Sequence, residues 1–243
     1  MKSKSKSPTE ETGNRIFYGW WIVLAGTVIF VVSNGIGFYS NGVYLDPLIN
    51  AHGWSKGSIS LAVTLFFFTI GMMGLIFGRK VDQYGPKPVL IFGAVVMGCG
   101  LTLLGRITAL WQLYAVYLIM AVGYGCSALL PINTLITNWF IRRRGFAMSI
   151  TMTGLSVGGI IFVPLGTYLI SRYGLKTALP VLGGIYTLVI VPISLFVIKQ
   201  RPSDVGQMPD GDPNFTVEGG KEGGYHASQV RTWTRLQAMR TRA

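Results

Sequence analysis

Apolar residues along this chain gather into six long runs separated by short polar or charged breaks. Crossing the hydrocarbon of a bilayer takes about 20 mostly apolar helical residues, and each run approaches or exceeds that length. The pattern predicts spans over 16–39 (continuing as helix toward 49), 56–77, 88–104, 110–141, 145–170 and 177–198. Ser55 suits the N-cap of the second span and Pro88 the first turn of the third. Because the breaks are short, consecutive helices are expected to be antiparallel neighbours. The first run follows a polar, basic stretch, as in a secretory leader. It exceeds the ~7–15 apolar residues of a leader, and no small-x-small site ends it. It therefore reads as an uncleaved span.

Composition agrees with this pattern. Half of the 243 residues are hydrophobic, 12% are charged, and the mean hydropathy is +0.48. Soluble domains carry about 25% charge. The net charge of +12 would suit nucleic acid, but the bases lie in tails and short breaks, which favours a topological role and no nucleic-acid partner. Seventeen of the 21 Lys and Arg fall on one side of the alternating spans and four (Lys56, Arg106, Arg172, Lys176) on the other. By the bias that keeps bases inside, both termini are expected in the cytoplasm of a cell-membrane protein. Cys99 and Cys126 lie in apolar runs and read as small packing residues. His52 and His226 lie in a loop and in the tail. No zinc-protease motif, phosphate-binding glycine loop, intramembrane aspartate pair, aquaporin half-helix motif or selectivity filter is present. An enzyme, a cofactor, a bound metal and a channel are not expected.

The break Gly78-Arg79-Lys80-Val81-Asp82-Gln83-Tyr84-Gly85-Pro86-Lys87 stands apart, because it sets a carboxylate among three bases at the edge of hydrocarbon. Its spacing, G-x-x-x-D-x-x-G-x-K, resembles the loop between helices 2 and 3 of the major facilitator superfamily of secondary transporters. Gln83 replaces that family's usual base. Tyr18-Gly19-Trp20-Trp21 resembles the monocarboxylate and oxalate/formate branch. So do Trp139-Phe140-x-Arg142-Arg143-Arg144-Gly145-Phe146-Ala147 with Gly154-x-Ser156-x-Gly158-Gly159 and Pro164-Leu165 after it, and Arg201-Pro202-x-Asp204-x-Gly206-x-x-Pro209-Asp210-Gly211. The resemblance implies an all-α membrane fold: six helices as two three-helix inverted repeats, forming the N-terminal half of a carrier. That half would transport a small solute, such as a monocarboxylate, oxalate or formate, by alternating access.

On that resemblance Asp82 is a cytoplasmic latch, with Gly78 and Gly85 allowing the turn, Lys87 anchoring its end, and one of Arg142, Arg143 or Arg144 as partner. The plainer readings are a solvated carboxylate and a topological anchor. Polar residues within spans are the substrate-cavity candidates: Asn34 and Tyr39 in the first, Tyr124, Ser127 and Asn133 in the fourth, and Ser156 in the fifth. Each could equally bond a neighbouring helix, since hydrocarbon supplies no partner. The lysine that animal monocarboxylate carriers place late in helix 1 is replaced near Tyr39, and the arginine common in helix 4 would fall near Ile119. Gly71, Gly74 and Gly78, and Gly154, Gly158 and Gly159, form small-residue faces, read as bundle packing or as sliding surfaces. Pro131 and Pro164 are expected kinks.

The expected organisation is a cytoplasmic tail over 1–15, the bundle over 16–199, and a cytoplasmic linker over 200–243 leading toward a missing C-terminal half. The alternatives are a truncated non-transporting membrane protein and a half-size carrier active only as a dimer. Expected partners are the lipid bilayer, a small, possibly anionic solute, and the missing half or a second copy of the chain. The orientation is testable with single cysteines at Ser55 and Ser171, which should react with impermeant reagents only from outside the cell. Reaction only from the cytoplasm would overturn it.

Overall fold

The computed structural model describes residues 17–211. The tail 1–15 and the stretch beyond Gly211, including its basic segment, lie outside the described residues. Six helices are long and apolar enough to cross a membrane: α1 Gly19–His52, α2 Lys56–Tyr84, α3 Pro86–Leu104, α4 Leu110–Trp139, α5 Arg144–Tyr173 and α6 Leu175–Val197. They pack as α1 on α5, α2 on α4, and α3 on both α4 and α6.

The predicted spans stand, but several ends move. Hydropathy marks where a helix leaves hydrocarbon, not where it stops. α2 therefore continues through the charged residues to Tyr84, and the turn predicted from Gly78 contracts to Gly85, whose φ of 83° suits glycine. Pro86, not Pro88, takes the first position of α3, where its missing N–H costs no helical bond. Ser55 caps α2 as expected, its Oγ accepting from Ser58 N–H at 3.1 Å.

Two helices are interrupted within their length. In α1 a π-helical turn, Gly35–Tyr39, adds one residue, and the Gly35 carbonyl accepts from both Ser40 N–H (3.1 Å) and Ser40 Oγ (2.7 Å). In α4 the break falls at Ala128 (φ −110°, ψ −119°). Pro131 has no N–H to return to the Ser127 carbonyl, and Ser33 Oγ of α1 donates to that carbonyl at 3.3 Å. Pro164 behaves otherwise and sits within an α5 helix unbroken from Arg144 to Tyr173.

The two glycine faces have opposite fates. A Cβ on Gly154 would lie 2.5 Å from the Thr27 carbonyl oxygen, and one on Gly158 would lie 2.3 Å from that of Val31. These glycines therefore admit the α1 backbone. Gly71, Gly74 and Gly78 on α2 have nothing within 4 Å. That face is open and does not take the expected part in bundle packing.

At one end of the bundle, His52 Nε2 meets the Ile107 carbonyl at 3.0 Å, and its ring stacks on Trp54. At the other end the segment after α6 is more than the linker expected there. It forms 3-10 turns at Pro202–Val205 and Pro209–Gly211 and is stitched to the helix ends. Tyr18 OH donates to the Val197 carbonyl (2.8 Å), Trp139 Nε1 to Lys199 (2.9 Å), and Tyr18 N–H to Gln207 Oε1 (3.0 Å).

Gly158→Ala should therefore destabilise this chain by about 1–3 kcal/mol, the usual cost of overpacking, because the obstacle is backbone. Gly74→Ala, which meets nothing, should leave stability unchanged or raise it by up to about 1 kcal/mol. Thermal unfolding of both variants in detergent checks the contrast.

Candidate functional site

The interruptions of α1 and α4 bring their polar side chains together. Tyr124 OH donates to Asn34 Oδ1 at 2.7 Å, and Asn34 Nδ2 donates to the Phe30 carbonyl at 3.1 Å. Gly37 makes the approach possible, since a Cβ there would lie 2.6 Å from the Tyr124 ring. Ser127 Oγ bonds to the Gly123 carbonyl and to Tyr186 OH of α6. Thus Asn34 and Tyr124 tie α1 to α4 and Ser127 ties α4 to α6, with each of these pairings made inside the bundle.

Beside this network the open faces of α2 and α4 bound a groove of about 440 Å³. Gly71 and Gly74 line one wall, and Tyr124, Asn133 and Thr137 lie on the other, with Arg144 at its edge. The groove is mostly apolar, with a few polar groups and one guanidinium, which is the common make-up of a small-molecule site. Tyr39 lies elsewhere, its ring against α5 where a Cβ on Gly159 would be 3.1 Å away. Ser156 is exposed on α5. Thr134 and Thr137 were missed as groove residues. Their i+1 and i+4 positions relative to Asn133 were the available signal.

The charged end is arranged in an unexpected way. Asp82 is exposed, and among the described residues its carboxylate has no hydrogen-bond or ion-pair partner within 4 Å. The carboxylate that reaches the arginine loop belongs to Asp210. It accepts from the backbone N–H groups of Ile141 (3.0 Å), Arg142 (2.7 Å) and Arg143 (3.3 Å), just before α5 begins. Asp210 does so at φ 59°, a conformation that Asp and Asn tolerate better than most residues. The side chains of Arg142, Arg143 and Arg144 are exposed. Lys87 Nζ donates to the Leu195 carbonyl at the end of α6 (2.8 Å).

Six apolar spans, with helices 1 and 4 broken beside an open groove, define a polytopic helical membrane protein. Comparison supplies the family. The family model of the Major Facilitator Superfamily matches residues 27–241, and the chain belongs to that superfamily. It is a family of membrane carriers, not enzymes. The chain is 31% identical over 187 residues to the oxalate:formate antiporter of Oxalobacter formigenes, covering 77% of this chain and 43% of that protein. It is 29% identical to MFS-type transporter 1 of an Ophiocordyceps species, covering 76% and 42%. It is 30% identical to monocarboxylate transporter 2 of Meriones unguiculatus, covering 69% and 35%. The fold matches the crystal structure of a bacterial homologue of the human lysosomal transporter Spinster, inward-facing and unoccupied. That match has a TM-score of 0.64 and 18% identity, covering 84% of this chain and 47% of that one. The chain spans less than half the length of each of these proteins.

The Tyr124–Asn34 bond can be measured directly. A double-mutant cycle with Tyr124→Phe and Asn34→Ala, read by unfolding in detergent, should give a coupling of about 0.6–2 kcal/mol. A coupling near zero would show that the two side chains do not depend on each other.

Proposed function

We propose that this chain forms one six-helix half of a secondary carrier for a small organic anion, working by alternating access. The observation that carries the reading is the groove between α2 and α4. It is open along the unpacked Gly71–Gly74 face and combines Tyr124 and Asn133 with Arg144 at its edge. A second bundle laid against that face would turn the groove into a cavity between halves. The carboxylate class is favoured by the similarity to an oxalate:formate antiporter and a monocarboxylate transporter. Asn34, Tyr39, Ser127 and Ser156 are secondary candidates for contact with the solute.

In this reading Asp82 is a transient latch. It has no partner among the described residues and would pair with an arginine of the 142–144 loop, or cap a neighbouring helix, when the cytoplasmic side closes. Gly85 supplies the turn that presents it, and Lys87 holds the start of α3 against α6. The basic end faces the cytoplasm.

Two measurements test the proposal. In a carrier carrying both halves, Asp82→Asn should reduce transport of oxalate, formate or lactate while leaving expression near normal. The expected shift is about 1–3 kcal/mol in the balance of inward and outward states, the usual size of a coupling free energy. Unchanged kinetics would remove the latch. This chain alone, reconstituted as a monodisperse monomer, should take up none of these anions. Uptake by the monomer would overturn the half-carrier reading, and uptake by a dimer would favour self-assembly over a missing half.

A further inference from the structure

A second cavity, this one polar, lies at the basic end, away from the groove. It has a volume of about 430 Å³ and is walled by Lys87, Lys199, Gln200, Arg201 and Asp204 over Ile198. Gln200 lies flat against Gly85, where a Cβ would collide with its side-chain oxygen. Three cations thus face one carboxylate, and that carboxylate is partly engaged, accepting from Arg201 N–H at 3.1 Å. Lys87 uses one of its three donors on the Leu195 carbonyl. The cavity's two net positive charges suit an anionic group with several acceptor oxygens.

What adjoins the cavity narrows the choice of ligand. From it, α3 presents one exposed stripe, Pro88, Phe92, Val95, Cys99 and Leu103, spaced by threes and fours along a single face. α6 runs back beside it with Leu195, Leu188 and Val181 exposed at intervals of seven; Leu188 is 74% exposed, and Phe196, near the end of α6, 78%. Between the stripes lies an apolar hollow of about 490 Å³ lined by Gly98, Thr102, Gly183, Gly184 and Thr187. It exists because α3 and α6 meet on glycine: a Cβ on Gly183 would lie 2.7 Å from the Gly98 carbonyl oxygen, while Gly184 has nothing within 4 Å. The eleven helical steps from Lys87 to Gly98 rise about 16 Å at 1.5 Å each, close to half of a ~30 Å hydrocarbon core.

We propose that the α3–α6 seam is a binding site for one anionic phospholipid, with the phosphate in the Lys87–Lys199–Arg201 cavity and an acyl chain along the seam into the glycine-lined hollow. The charge fits a phosphate diester, the depth fits one leaflet, and basic pockets at the cytoplasmic end of membrane helices are suited to such headgroups. The site is separate from the α2–α4 groove and does not depend on what that groove transports.

Lipid retention by this chain tests the proposal. The chain is purified in neutral detergent and given dioleoyl phosphatidylglycerol or dioleoyl phosphatidylcholine, and lipid per chain is counted by mass spectrometry. Phosphatidylglycerol should be retained at about one per chain in preference to phosphatidylcholine. Lys199→Gln and Arg201→Gln should each weaken retention about fivefold. Gly184→Leu, which fills the hollow without meeting a neighbour, should weaken retention of the long-chain lipid. Millimolar inorganic phosphate should not displace it. Equal retention of the two lipids, or wild-type retention by a Lys199→Gln/Arg201→Gln variant that melts normally, would overturn the proposal. Full displacement by inorganic phosphate would overturn the lipid as the source of the phosphate.

Discussion

Inside hydrocarbon every backbone polar group must be bonded by the protein itself, and at the interruptions of α1 and α4 side-chain hydroxyls help to meet that demand. Pro131 strands the Ser127 carbonyl, and Ser33 from α1 supplies the missing donor. The extra residue in α1 leaves the Gly35 carbonyl with two donors from Ser40. Each interruption is therefore conditional on a particular hydroxyl, and the first of them also requires a neighbouring helix. The crossing of α1 and α4, the Tyr124–Asn34 bond and the position of the groove wall all follow from that arrangement.

The same demand separates the glycine faces. Where α5 meets α1, glycine lets carbonyl oxygens approach closer than any side chain would allow. Along α2 the same spacing meets nothing. Identical sequence signals thus mark a finished contact in one helix and an unfinished surface in another. The unfinished one borders the groove.

The six spans were legible because twenty apolar residues in a row have few alternatives. The ends of the helices were not, since Gly78–Tyr84 is too polar for the membrane yet wholly able to be helical. Buried polar residues were legible as a class, and Asn34 and Tyr124 could be selected on the ground that each needs a partner. That they partner each other depends on where two helices cross, 90 residues apart in the chain. The Gly78–Lys87 motif marks Asp82 as a carboxylate for the arginine loop, and it gives no sign that Asp210 also reaches that loop, through its backbone amides. Nothing local to Pro209-Asp210-Gly211 specifies a partner nearly seventy residues earlier. Its turn-forming composition announced only that the chain bends.

The long reach of Asp210 bears on how the protein is made. The three amides that it satisfies precede it by 67–69 residues. At about 5–20 residues per second of synthesis, they emerge roughly 3–14 s before their acceptor. Throughout that interval the arginine loop has its charges but lacks its clasp, while α5 and α6 are still entering the membrane. The loop can fix the orientation of the growing bundle early, through its bases alone, and acquires its final shape only once the last described residues of the chain have been added.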